Sequence, residues 1–300
     1  MQKDKNSSTQ LASTSPASSR AAPVRGLVSV PKVLSEVIST RIIPRLLQSH
    51  QPTAALRPAD KKVALSRRDI AEFATLVLSD NSPEIDTFVA QCRARGMTIE
   101  AIYLRLLTDT ARYIGTLWAN DDCDFCEVTL ALWRIQRLLH DLSPAFHAER
   151  HGACPHSGHR VLLAPIAGEQ HMLGPIMVAE FFRRAGWEVS GELPTANDQL
   201  VEIVRDQWLD MVGISVGGLA TTGDLKATIR AIRRASINPS VGVMVGGWMF
   251  IERPELVMDV GADFAAADAR DAVVMATACV ARYSAVANRG SAGMVGQHAD

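Results

Sequence analysis

The sequence has no excess of charge of either sign. Its 31 Lys and Arg face 32 Asp and Glu, for a formal net charge of −1. That excludes a global electrostatic footprint for nucleic acid, so DNA binding would need a local patch or a partner. It also lacks any apolar run of the ~18 residues that a membrane helix needs. Cysteines are few and odd in number: Cys92, Cys123, Cys126, Cys154 and Cys279. A disulfide framework is therefore not expected. The dinucleotide fingerprint G-x-G-x-x-G is missing after the first apolar strand pattern. The N-terminus, MQKDKNSSTQLASTSPASSRAAPVRG, lacks the apolar middle of a signal peptide. It is rich in Ser, Ala and Thr without a periodic apolar face, and residues 1–30 read as disordered. A cytoplasmic location is the expectation that follows.

What is present falls into two halves with different periods. Residues 31–146 read as a helical bundle, with helical patterns over 33–50, 66–80, 82–96, 98–120 and 124–146. Ser66, Ser82 and Thr98 are candidate caps, Gly96 a stop, and the last helix should end before Pro144. Short loops between amphipathic helices imply antiparallel neighbours. Residues 147–159, HAERHGACPHSGH, read as a linker whose histidines are more simply solvated than metal-bound. From 160 to 285 short apolar strands alternate with helices. The strand patterns are 160–166, 187–193, 211–217, 241–247 and 262–268. The fold expected is α/β: a helical bundle followed by a five-stranded parallel, Rossmann-like (flavodoxin-like) domain. Residues 286–300 read as a flexible tail.

Right-handed crossovers would put the C-terminal strand ends on one ligand-binding edge. Three features then share that rim: AGEQHMLG with Glu169, His171 and Gly174; GISVGGL with Ser215, Gly217 and Gly218; and VMVGGW with Gly246 and Gly247. Glycines at strand ends let a large ligand approach the backbone. Ser215 can hydrogen-bond a polar group of a ligand. An imidazole that serves as an oriented metal ligand needs an acceptor on its other nitrogen, and Glu169 is the candidate. Gly213-Ile-Ser215-Val-Gly217 formally matches a hydrolase elbow, but the one histidine after it is His298, in the tail. Cys123 and Cys126 form C-x-x-C at a helix start. A zinc site would have to recruit Cys154, His156 or His159, so the simpler reading is two cysteines packed near the helix start.

The three rim features together resemble cobalamin-binding domains of the methionine-synthase type, which carry D-x-H-x-x-G, then S-x-L, then G-G. Here they read Glu169-Gln-His171-Met-Leu-Gly174, Ser215-Val-Gly217 and Gly246-Gly247. Glu stands for the usual Asp at 169, and Gly for the usual Leu at 217. The resemblance implies cobalamin as cofactor, with His171 as its lower cobalt ligand. It also implies that the cofactor's displaced tail passes Ser215 and the Gly246-Gly247 turn. In cobalamin photoreceptors the bundle carries Trp-x9-Glu-His. Here Trp118 is followed after nine residues by Val128-Thr129, so Trp118 is expected to cover the corrin without a Glu-His pair.

LWANDDCDFCEVTLALWRIQRLLHD and GEQHMLGPIMVAEFFRRAGWEV are similar to the two halves of the AerR/PpaA group of antirepressors from purple photosynthetic bacteria. That resemblance covers roughly residues 60–285. It implies a light-responsive, non-enzymatic regulator whose partner is a DNA-binding repressor of the CrtJ/PpsR type, with no DNA contact of its own. The alternative is a corrinoid carrier for a separate methyltransferase.

Overall fold

The computed structural model describes residues 65–79, 82–149, 157–169, 171–191, 196–217 and 222–295, with side chains to 285. The chain divides into two units, Met1–Thr53 and Ala54–Asp300, and all described residues belong to the second. The expected tail over 1–30, the helix over 33–50, Cys154, His156 and Gly218 lie outside the described residues.

The helical layer starts with α1 (Arg67–Leu78), where Ser66 and Asp69 form a reciprocal capping box. In α2 (Ser82–Ala94) the chain stops at Gly96, whose φ of +92° suits a residue without Cβ. Next come α3 (Ile99–Ala101), a π-helical turn (Ile102–Leu107) and α4 (Thr108–Ala119), which follow one another without a gap. Thr98 caps this run by accepting from the Ala101 N–H at 3.1 Å. A second capping box, Asp124 with Glu127, opens α5 (Phe125–Ala148).

Helix α5 does not stop before Pro144 but continues to Ala148. Proline in a helix costs about 3 kcal/mol. Tertiary contacts offset it here: Leu138, Leu139 and Phe146 are buried, and Ser143 and His147 both bond Glu180. Residues 147 and 148 are thus helix rather than linker.

The sheet comprises β1 (Arg160–Pro165), β2 (Glu188–Val189), β3 (Met211–Ser215), β4 (Gly242–Gly246) and β5 (Phe264–Ala265). All pairs are parallel and the order is β2-β1-β3-β4-β5, the flavodoxin-like arrangement. Its helices are α6 (Leu173–Arg184), α7 (Asn197–Asp206), α8 (Thr222–Ala235), the short α9 (Trp248–Glu252) and α10 (Leu256–Val260), and α11 (Ala269–Val295). Alternation along the strands sorts two cores. Leu162, Ala164, Val212, Ile214, Val243 and Val245 face α7 and α8. Val161, Leu163, Met211 and Met244 face α6 and α11. Helix α11 runs past the expected boundary at 285, since Gly290 and Gly293 weaken a helix but do not stop it as proline would.

Helix α6 joins the layers. Met177 and Phe181 enter the core of the helical layer, while the adjacent Phe182 enters the core under the sheet. Two buried acids reinforce the join. Glu180 accepts from Ser143, from His147 Nε2 at 3.0 Å and from Arg183 at 2.7 Å. Glu100 pairs with Arg184 at 2.8 Å and with Arg270.

Candidate functional site

In a 2-1-3-4-5 sheet the chain leaves β1 and β3 in opposite directions, and a crevice opens between their C-terminal ends. Register puts Pro165, Ser215 and Gly246 side by side at that edge. A cavity of about 620 Å³ lies there, in the size range of small-molecule sites. One wall is the sheet edge and the start of α6: Gly174, Pro175, Ser215, Gly246 and Gly247. The opposite wall comes from the helical layer: Leu104, Arg105, Thr108 and Arg112. Asp268 and Arg270, after β5, close a third side. The cavity continues along the sheet face past Leu163, Gly213 and Met244, beneath Val178 and Ala272.

The first and second sequence features meet at this edge. A Cβ on Gly174 would lie 3.6 Å from Ser215 Oγ, ordinary contact distance. The glycine that ends β4 and the one that follows it differ in kind. Gly247 has φ +130°, and a Cβ there would come within 2.0 Å of the Val216 carbonyl. Gly246 has open space where a Cβ would be, and it lines the cavity.

Beside this edge is the histidine. Glu169 is held by a turn in which its N–H donates to Ile166 O at 3.0 Å. Its side chain is 4% exposed and that of His171 is 63% exposed. His171 Nδ1 is hydrogen-bonded to Glu169 Oε1. A carboxylate only accepts, so Nδ1 carries the proton and the lone pair is left on Nε2, the nitrogen free to bind a metal. Neither residue lines the cavity, whose wall resumes three residues on at Gly174, but a buried acceptor behind an exposed imidazole fits a cofactor whose metal takes a nitrogen ligand.

Residues 159–276 match the family model for the B12 binding domain. That stretch, 118 of the 300 residues, is similar to B12-binding domains. Cobalamin is therefore the cofactor, and the donor chemistry at His171 agrees with it. The chain is 29% identical over 187 residues to an uncharacterised 20.5 kDa protein of the bchF-crtJ intergenic region of Rhodobacter capsulatus, covering 61% of this chain and 94% of that one. Both findings are consistent with a protein of the AerR/PpaA type. A monomethylamine corrinoid protein of Methanosarcina barkeri shares the fold at TM-score 0.57 and 16% identity, over 70% of this chain and 98% of its own.

The structure brings Gly174, Ser215, Gly246 and Gly247 to one cavity, with Glu169 paired to His171 beside Gly174 in the chain. Gly217 does not line the cavity; it packs against Glu169. Trp118 does not line it either. It is 49% exposed, six residues beyond Arg112 on α4, which is about 240° further round the helix. The tryptophan near the cavity is Trp248, the residue after Gly247, whose ring lies 5.9 Å from the Arg112 guanidinium.

Arg105 is a further residue that sequence reading passed over. It lines the cavity from the π-helical turn, and its guanidinium has no hydrogen bond or ion pair among the described residues. Its donors are open to an acceptor on the ligand. Thr108 Oγ1 adds to the turn by donating to Tyr103 O at 3.0 Å. The signal for Arg105 was a lone cation within the apolar run IYLRLL.

The C-x-x-C stays unassigned to chemistry. Cys123 and Cys126 are both free thiols. Desolvation, then the carboxylates of Glu127, Asp122 and Asp124, push the Cys123 thiol up, away from the thiolate that redox chemistry needs. His147 is engaged by Glu180, and the His159 ring lies against Trp187, with centroids 5.0 Å apart and planes tilted by 48°. Among the described residues no cluster of His, Cys, Asp or Glu could hold a metal ion by itself, and no helix is long and apolar enough to cross a membrane.

Proposed function

We propose that this protein is a light-responsive, cobalamin-binding regulator that acts through a DNA-binding repressor of the CrtJ/PpsR type, and is not an enzyme. The observation that carries the reading is the shared cavity: the sheet edge forms one wall and the helical layer the other. Bound cobalamin would supply a light-sensitive cobalt centre. His171 would hold that cobalt through Nε2, with Glu169 fixing the ring. Because Leu104, Arg105, Thr108 and Arg112 bear on the same space, a change at the cofactor acts directly on the packing of the helices.

The outer face of α5 supports a protein partner. Phe125, Leu130 and Trp133 are exposed there, at 66%, 49% and 55%, and exposed aromatic side chains are the material of protein interfaces. The Rhodobacter capsulatus relative adjoins crtJ in name, which supports a repressor of that type as the partner. The test is binding of the cobalamin-loaded protein to such a repressor in darkness and in light. An affinity that changes with illumination, and falls when Trp133 is replaced by Ala, is expected. Equal binding in both conditions, together with methyl transfer to the bound cofactor by a co-purifying methyltransferase, would favour the carrier function instead.

A further inference from the structure

We infer that Gly217 is a positioning residue for His171, acting through Glu169, so that positions 169 and 217 form one size-coupled unit. This rests on the reading of His171 as the cobalt ligand. A Cβ on Gly217 would lie 1.9 Å from Glu169 Oε2 and 2.6 Å from its Cδ, closer than the 3.0 Å that real Cβ atoms keep. The φ of Gly217 is outside the left-handed range, so its backbone accepts any residue. What glycine supplies here is volume, not conformational freedom.

The Glu169 carboxylate cannot simply swing aside. Its side chain is 4% exposed, and its other oxygen holds His171 Nδ1. A methyl group at 217 must therefore push the carboxylate, and with it the imidazole whose Nε2 faces outward. An aspartate at 169 is one methylene shorter and would draw the carboxylate back by about 1.5 Å. The acid that is long for this position and the side chain that is missing at 217 are thus one exchange. The longer carboxylate occupies the space that the absent side chain leaves.

The experiment is a double-mutant cycle on the full chain with hydroxocobalamin as probe. Affinity and visible spectrum are read for the wild type, Gly217→Ala, Glu169→Asp and the double variant. Gly217→Ala alone should weaken binding by about 10- to 100-fold, the usual cost of disturbing the group behind a metal ligand. Its spectrum should move toward that of His171→Ala. Adding Glu169→Asp should bring affinity back to within about twofold of Glu169→Asp alone, and restore the histidine-bound spectrum.

A loss from Gly217→Ala that is equal in both backgrounds, or no loss in either, overturns the coupling. Melting temperatures of the four cofactor-free proteins give the same cycle independently. If the wild type takes up no cobalamin, the functional reading fails, while the thermal cycle still decides the coupling: non-additive shifts support it and additive shifts overturn it. If Gly217→Ala does not fold, folding regained in the double variant supports the coupling, and folding not regained refutes it.

Discussion

Gly246 and Gly247 are adjacent and identical in the sequence, yet they do different things. Gly247 is there for its backbone: φ is +130° and the Val216 carbonyl occupies the place of a Cβ. Gly247→Ala should cost roughly 1–3 kcal/mol in backbone strain alone, a fall in melting temperature of about 5 °C for a chain of this size. Gly246→Ala should leave the melting temperature unchanged and weaken cobalamin binding, because its new methyl group enters the cavity. Calorimetry and titration on the two variants separate these outcomes, and equal effects would contradict the assignment. Residue types at the rim were legible in the sequence because their order and spacing were. The contact between Glu169 and Gly217 was not, since 47 intervening residues separate partners that only the fold brings together. Trp118 was expected over the cofactor from its position in a pattern, but helical phase turns it away from the cavity.

At the scale of elements, periodicity located most helices and all five strands, and capping residues fixed several starts. The π-helical turn left no such trace. Ile99, Ile102, Tyr103, Leu106 and Leu107 are all buried, and their spacing is that of an ordinary α-helix. The turn matters because Arg105 projects from it into the cavity. Arg105→Met keeps the stem and removes the donors. It should weaken cobalamin binding by about tenfold, the worth of one charge-assisted hydrogen bond, and leave the cobalt spectrum in place. An unchanged dissociation constant would remove Arg105 from the site. The sequence pattern puts the end of α5 before Pro144, and the helix runs on because the contacts that carry it come from α6, 29 or more residues later.

For the whole molecule, the join between helical layer and sheet is what makes one cavity out of two walls. Glu180 is part of that join. Burial works to raise its pKa, but hydrogen bonds from Ser143 and His147 and the charge of Arg183 outweigh it, so its pKa lies below the ordinary 4.5. A carboxyl with a depressed folded pKa contributes stability that is complete above its unfolded value and is lost as pH falls through the folded value. Thermal stability should therefore decline as pH drops below about 4.5, and Glu180→Gln should flatten that decline. A profile equally steep in the variant would assign the acid sensitivity to other groups. The two-half organisation was readable from the change of hydrophobic period near residue 160. The docking was not, because it depends on α6 being apolar on two sides, with Phe181 and Phe182 turned to different cores.

The proposed function stands on His171 binding the cobalt of cobalamin. Its most direct test is the visible spectrum of the protein reconstituted with hydroxocobalamin, recorded beside that of His171→Ala. The wild type should take up the cofactor with a spectrum shifted from that of the free form, and His171→Ala should lose the shift. Identical spectra for the two proteins would contradict it.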